Sequence, residues 1–367
     1  MIPNTYGFIG LGLIGGSIAK SIKAAHPDAV ISAFDANEAS LQLAKTENII
    51  NSIYTTPNSE TFSALGNCEF IFLCAPVSAN DKNLELIKDH LSEGSVLTDA
   101  GSVKNTIHTT IDSFGLSHRF IGGHPMAGSE KSGYANSDPK ILENAYYILT
   151  PGEGVSSERV DTLKNLVEDM RAIPMILEAA QHDYITAAVS HLPHIIASSL
   201  VNLVHDEDKD GLMKMIAAGG FKDITRIASS SPVMWQSICL TNTDNIAKLL
   251  NDYISALEVI KGQLTDKDAA KLYDFFEQGK LFRDSFSNIG SGPIKKEYVL
   301  YMDLKDETGA IAKTATILAN ADVSIKNIGI MHNREFQEGA LRIEFYDEAA
   351  ISLARATLLE NNYIIFN

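Results

Sequence analysis

The sequence predicts an α/β doubly wound sheet, followed by an all-helical domain and a small βαββαβ module. Three observations carry this expectation. Short apolar runs alternate with amphipathic segments through the first 179 residues, as strands and helices alternate around a parallel sheet. Strand signals then vanish between Gln181 and Asp284. They return in the last ~70 residues, a length sufficient for a small domain, after the Gly-, Ser- and Pro-rich stretch Phe286–Lys296, which reads as a linker.

In order along the chain, Tyr6–Gly10, Ala29–Phe34, Glu69–Ala75, Ser95–Asp99 and Arg119–Gly122 are apolar runs of strand length. Ile14–Ala25 and Asn80–Leu91 carry helical periodicity between them. Tyr146–Thr150 and Ile173–Leu177 are two further strands flanking the helical stretch Ser156–Met170. This first domain is expected to span 1–179. The region 180–290 is helical throughout, with breaks at Gly211, Gly219-Gly220 and Ser231-Pro232. Within 297–367, Tyr298–Leu304, Val323–Met331, Ala340–Tyr346 and Tyr363–Phe366 read as strands, and Gly309–Asn320 and Glu348–Asn361 as helices. That order is a ferredoxin-like split unit.

Composition bounds the partners. The chain has 367 residues, with 30 Lys plus Arg against 46 Asp plus Glu, a net charge of −16. Nucleic acid and anionic membrane surfaces both require a basic footprint, so neither is an expected partner. An anionic small substrate would need a local cationic pocket. Cys68, Cys74 and Cys239 make neither a disulfide framework nor a metal-ligand spacing. No metal is expected, and a reducing, cytoplasmic location is. The opening MIPNTYGFIG has no basic n-region of a secretory signal. Tyr184–Val204 carries no Asp, Glu, Lys or Arg over 21 residues, long enough to span a bilayer. With His191, Pro193, His194 and Asn202 inside it, the stretch reads instead as a buried helix of a larger helical core, the centre of an intertwined homodimer.

The motif Gly10-Leu11-Gly12-Leu13-Ile14-Gly15 follows the first strand and opens a helix. In that context Gly10 permits the tight turn, Gly12 lets the backbone approach a pyrophosphate, and Gly15 allows close helix–strand packing. The amides at the helix start would face the phosphates. Asp35 stands 20 residues after Gly15, at the end of the second strand. A carboxylate there accepts from a ribose 2′-OH and repels a 2′-phosphate, so the expected cofactor is NAD and the domain Rossmann-type. Cys74-Ala75-Pro76-Val77 ends a strand where the sheet reverses and a cofactor would pass, although a plain strand-ending turn reads the same way.

Two later loops bear candidate catalytic groups. Ala100-Gly101-Ser102-Val103-Lys104 follows one strand, and Gly123-His124-Pro125-Met126-Ala127-Gly128 follows another. Oxidation of a carbinol needs a base for the hydroxyl proton, and imidazole suits that task near neutral pH, which singles out His124. Ser102 could align either that hydroxyl or the imidazole. In the helical domain, His191 and His194 are i,i+3 neighbours around Pro193, which is expected to kink the helix and free the Val189 carbonyl. Both histidines read equally as buried structural residues. Lys222, Arg226 and Trp235 are candidates for holding a carboxylate-bearing ring, Arg226 because a guanidinium grips a carboxylate with two parallel bonds.

Six stretches together resemble the prephenate dehydrogenase family: Gly10–Ser17, Asp99–Lys104, Gly122–Glu130, Ser190–His194, Gly219–Ala228 and Pro232–Trp235. The resemblance covers essentially the whole chain. It implies that NAD receives a hydride from C4 of prephenate, that the ring loses CO₂, and that 4-hydroxyphenylpyruvate forms on the way to tyrosine. On this resemblance His124 would accept the C4 hydroxyl proton and Ser102 would orient it. His194 and Arg226 would contact the carboxylates. Ser129, Glu130, Lys222, Asp223 and Trp235 would shape or gate the pocket. Arogenate dehydrogenase shares the fold and chemistry and stays open as a less favoured alternative.

Residues 297–367 resemble an ACT domain, on Leu304–Ile311 leading from strand to helix and on the strand order. This implies allosteric feedback by tyrosine, with Gly309, Asn320 and Asn327 as candidate effector contacts. A module that only stabilises the oligomer is the alternative.

Overall fold

The eight strands of the first sheet are β1 (Thr5–Ile9), β2 (Val30–Phe34), β3 (Ser52–Tyr54), β4 (Phe70–Leu73), β5 (Val96–Asp99), β6 (Phe120–Pro125), β7 (Tyr146–Pro151) and β8 (Ile173–Ile176). They lie in the order β3-β2-β1-β4-β5-β6-β7-β8 in the computed structural model, which describes residues 3–128, 131–286, 298–304, 307–331 and 340–366. Strands β1 to β6 are mutually parallel. Phe70–Leu73 is buried at every position, as a strand covered on both faces must be. The covering helices are α1 (Leu13–Ala25), α2 (Glu38–Thr46), α3 (Ser59–Gly66), α4 (Val77–Ile87), α5 (Asn105–Ser113) and α6 (Ser157–Asp169). Phe8 and Phe72 stack with centroids 4.8 Å apart across β1 and β4. Strand order reverses between these two, so their carboxyl ends open onto the crevice where doubly wound sheets hold ligands.

The sheet departs from the sequence expectation in two places. The three-residue β3 was too short to register as an apolar run. Strand β7 is antiparallel to β6, and β8 follows β7. A parallel return needs a crossover, usually a helix. Here the described part of the connection holds only the short 3₁₀ turns Tyr134–Asn136 and Pro139–Ile141, and Tyr134 and Ser137 pack on Gly16 of α1.

By packing, the chain divides into two compact units, Met1–Leu272 and Tyr273–Asn367. Past the sheet come α7 (Ala179–Thr186), α8 (Leu192–Glu207), α9 (Leu212–Ile216), α10 (Gly219–Thr225), α11 (Pro232–Thr241), α12 (Thr243–Thr265) and α13 (Ala269–Ser285). Between α7 and α8 the chain widens into a π turn, Ala187–His191, where the Leu192 amide donates to the Ala187 carbonyl. Pro193 is therefore accommodated by a wider turn, a local form frequent at functional sites. The long apolar stretch is not a buried core helix within one chain: Val189 is 63% exposed and Leu203 58%. Leu192, Ile195 and Ile196 are half-buried, so among the described residues the apolar stretch is covered only in part.

The second unit runs β9 (Tyr298–Asp303), α14 (Ala310–Asn320), β10 (Ile325–Met331), β11 (Ala340–Phe345), α15 (Glu348–Glu360) and β12 (Ile365–Phe366). Its sheet order is β10-β11-β9-β12, all neighbours antiparallel. Leu300, Met302, Leu341, Ile343 and Phe345 alternate inward and pack with Leu318 and Leu358. Residues 287–296 of the expected linker, with Lys305 and Asp306, lie outside the described residues.

Candidate active site

The glycine turn after β1 behaves as its spacing implies. Gly10 has φ +95°, and a Cβ there would stand 2.5 Å from the Ala75 amide nitrogen, so the turns after β1 and β4 touch. A Cβ on Gly15 would stand 2.5 Å from the Gly10 carbonyl oxygen and 2.9 Å from Cys74 Cβ, which fixes how closely α1 meets the sheet. Gly12, by contrast, faces open space and caps α1 with no side-chain bond. The first turn of α1, with Leu13 and Ile14, holds no acidic residue. Its amides therefore remain available to a phosphate. Asp35 stands beside this turn: its Oδ2 accepts from the Leu11 amide at 2.6 Å and its Oδ1 from the Asn37 amide at 2.7 Å. Helix α4 begins at Val77 directly after Pro76. An open glycine, an uncapped helix start and a carboxylate at the end of β2 fit a dinucleotide.

Across the sheet edge lies a buried polar system. Asp99, at the end of β5, accepts from the Lys104 ammonium at 2.5 Å, the Gly101 amide at 2.9 Å and the Gly123 amide at 2.9 Å. Lys104 is fully buried and also donates to the Gly123 carbonyl at 2.7 Å. Burial pulls its pKa down, and Asp99 opposes that. Next to Gly123, His124 Nδ1 lies 2.7 Å from His182 Nε2, and His182 Nδ1 lies 2.8 Å from Asp183 Oδ1. The pKa of His124 is held well below the usual histidine value by burial, reinforced by His182, Lys104 and His191. These surroundings favour the neutral imidazole, the form that can accept a proton.

The helices complete the cluster. His194 stacks on Trp235 with centroids 3.7 Å apart, and the His191 ring meets the same indole edge-on at 6.0 Å. His194 Nδ1 donates to the Ser190 carbonyl at 2.9 Å, leaving Nε2 as the other pole of the ring. Burial lowers its pKa, and the Arg226 charge adds to that. Arg226 is exposed where α10 ends, with Lys222 and Asp223 exposed on the preceding turn. Neutral base, stacked aromatic pair and guanidinium together suit an anionic ring substrate with an oxidisable hydroxyl.

Comparison with known proteins decides the family. Residues 18–175 match the model of the prephenate dehydrogenase nucleotide-binding domain, and residues 178–278 that of the prephenate dehydrogenase dimerization domain. The prephenate dehydrogenase of Bacillus subtilis (strain 168) is 38% identical over 343 residues, covering 92% of this chain and 91% of that one. The chain belongs to the prephenate dehydrogenase family. The enzyme of that name from Lactococcus lactis subsp. cremoris (strain MG1363) is also 38% identical, over 92% of both chains. Among solved structures, the A. aeolicus prephenate dehydrogenase in complex with hydroxyphenyl propionate and NAD⁺ superposes with a TM-score of 0.73 at 30% identity. It covers 78% of this chain and 99% of its own. Family membership makes this chain an NAD-dependent oxidoreductase with a nucleotide-binding and a dimerisation domain.

Against the prephenate dehydrogenase motifs, the structure brings together His124, His191, His194, Trp235 and Arg226. Ser102 sits in the turn between β5 and α5, and among the described residues no hydrogen bond joins it to His124; the imidazole's partner is His182. Ser129 and Glu130 lie outside the described residues. Gly309, with φ +86°, precedes α14, whereas Asn320 ends it and Asn327 lies on β10. Eleven helical residues span about 16 Å, so one copy does not bring Gly309 and Asn320 to a common ligand. Sequence reasoning missed Asp99, Lys104, His182 and Asp183 as parts of the site. An Asp preceding the glycine turn and a Lys closing it were a visible signal. His182-Asp183 had none, being one acid and one base at the start of a helix.

Proposed function

We propose that this chain oxidatively decarboxylates prephenate to 4-hydroxyphenylpyruvate in the cytoplasm, as a homodimer. The observation that carries the reading is buried His124, 2.7 Å from His182, on the sheet that also bears the glycine turn, with His191 and His194 packed on Trp235 in the helical region. Gly10–Gly15 cradle the pyrophosphate of NAD, Asp35 takes its ribose hydroxyls, and Cys74, Ala75, Pro76 and Val77 border it. Bound NAD supplies the hydride acceptor. His124 takes the C4 hydroxyl proton as that carbon loses hydride. It returns the proton to the same oxygen when loss of the ring carboxylate as CO₂ makes the ring aromatic. Ser102 orients the hydroxyl. Arg226 and His194 hold the carboxylates, and Trp235 supports His194 by stacking. Lys222 and Asp223 shape the pocket, a role that the family resemblance also implies for Ser129 and Glu130.

Three regions divide the work: 1–179 binds NAD, 180–290 binds substrate and pairs the subunits, and 297–367 regulates. Exposed Val189, Leu203, Leu240 and Val259 supply the apolar surface for that pairing. The sheet order β10-β11-β9-β12 and the left-handed Gly309 before α14 support reading the last region as an ACT module. An alignment of 343 residues with the B. subtilis enzyme necessarily runs into it. Tyrosine is its effector, and a site formed between two copies would let Gly309 of one and Asn320 of the other meet the same ligand.

The test is NADH absorbance with the full chain, NAD and prephenate, with arogenate in parallel and tyrosine added to each. NADH from prephenate, suppressed by tyrosine, is expected. No NADH from prephenate overturns the activity. Turnover unchanged by tyrosine overturns the regulatory role.

A further inference from the structure

We propose that His182 and Asp183 are positioning residues that hold His124 in one tautomer, proton on Nδ1 and lone pair on Nε2. The inference deepens the reading of His124 as the base. It starts from a carboxylate with fixed surroundings. Asp183 is 1% exposed, and its two oxygens accept the backbone amides of Lys104 at 2.7 Å and Asn105 at 2.8 Å, which seats it on the start of α5. A carboxylate so placed only accepts, so the 2.8 Å contact from His182 Nδ1 is an N–H donated to Asp183. In neutral His182 that leaves Nε2 as a lone pair. The same Nε2 lies 2.7 Å from His124 Nδ1, so His124 must donate there. His124 Nε2 is then bare, which is the form a base needs.

The surroundings hold the pair still. The Thr186 hydroxyl donates to the His182 carbonyl at 3.0 Å, and the Asn242 side chain donates to the Asp183 carbonyl at 2.8 Å while lying 3.2 Å from His191 Nδ1. His182 is wholly buried. The charged and titratable groups facing His124 are His182, Lys104 and His191, with the Asp183 carboxylate one ring beyond. When His124 takes the substrate proton on Nε2, its Nδ1–H stays donated to His182, and Asp183 offsets the new positive charge through that ring. No proton needs to travel further. An imidazolium at His182 would reverse the pattern, putting the proton of His124 on Nε2 and leaving no base.

The experiment has two arms on the full-length protein. In the first, ¹⁵N-histidine labelling, with His124→Asn to assign the resonance, reads the tautomer directly. A protonated Nδ1 and bare Nε2 on His124 are expected; a protonated Nε2 overturns the proposal. In the second, His182→Phe keeps a ring but removes the acceptor, and His182→Gln keeps an acceptor oxygen. The Phe variant should lose about a hundredfold in kcat, with KM for prephenate within about threefold. The Gln variant should recover at least about tenfold of that loss. Equal losses in both variants, or a Phe variant within about threefold of the parent, overturn it. Should His182→Phe not fold, the tautomer arm decides alone. Absence of turnover in the unaltered protein would defeat the functional reading and leave the tautomer result standing.

Discussion

Replacing Lys104 with Met tests whether the buried ion pair is the brace of the catalytic loop. The Lys104 ammonium is wholly buried and makes two bonds, to Asp99 Oδ2 at 2.5 Å and to the Gly123 carbonyl at 2.7 Å. Met fills nearly the same volume, so little cavity forms. What is lost is the cation. Asp99 keeps the Gly101 and Gly123 amides but becomes a buried, uncompensated carboxylate. Breaking one side of such a pair costs about 3–5 kcal/mol. At roughly 2–4 °C per kcal/mol for a unit of this size, the melting temperature should fall on the order of 10 °C. The double variant Lys104→Met with Asp99→Asn removes the stranded charge and keeps an acceptor oxygen, so it should recover at least half of the loss. Urea unfolding followed by circular dichroism, with both variants beside the parent, measures this. A Met variant within about 1 kcal/mol of the parent, or a double variant no better than the single, would refute the argument.

Other outcomes follow from the same geometry. Asp35→Ser removes a charged acceptor at the ribose and from the Leu11 amide; NAD affinity should fall by about tenfold or more, and preference over NADP should narrow, as read by fluorescence titration. Unchanged selectivity would count against Asp35 as the discriminating residue. Gly15→Ala drives a methyl to 2.5 Å from the Gly10 carbonyl, so α1 must shift, costing about 1–3 kcal/mol of stability and weakening NAD binding. Burial draws His191 from 6.5 down to about 4. The unfolded chain therefore binds a proton that the folded one rejects. Stability is full above pH 6.5 and declines toward pH 4, by up to about 3 kcal/mol from this residue. Urea midpoints from pH 7 to 4 should show the decline, and His191→Gln should make it shallower by this residue's share, leaving the part due to His124 and His194.

The parts legible in the sequence are those with a local physical cause. Apolar runs of strand length, helical periodicity, and the backbone demands on Gly10 and Gly15 all act within a few residues. They located five of the first six parallel strands, the cofactor turn and the whole β-α-β-β-α-β order of the second unit. The three-residue β3 and the direction of β7 were not legible. A strand so short has no period, and the direction depends on where the Tyr134–Ile141 turns pack. The long apolar helix leaves Val189 and Leu203 exposed within one chain, because periodicity shows that a face is to be covered but not by which chain. At the site, single residues with singular chemistry stood out, as His124 and Arg226 did. The hydrogen-bonded pair behind His124 joins residues 58 positions apart and arises only when the start of α7 meets the start of α5.

The net charge of −16 looks unsuited to an enzyme whose cofactor and substrate are both anions. The hydrogen bonds resolve the difficulty. Three acidic residues of the site face inward onto the chain's own donors: Asp35 takes two backbone amides, Asp99 two amides and an ammonium, Asp183 two amides and an imidazole. Their charge is absorbed where it shapes loops, and little of it is projected toward a ligand. Arg226 is exposed at the end of α10, and the start of α1 carries no acid. Neutralising any one of these carboxylates should therefore loosen the site more than it improves anion binding, the reverse of what net charge alone would suggest. Asp183→Asn with a lower KM for prephenate and undiminished kcat would break that argument, because it would show the carboxylate repelling substrate rather than seating the base.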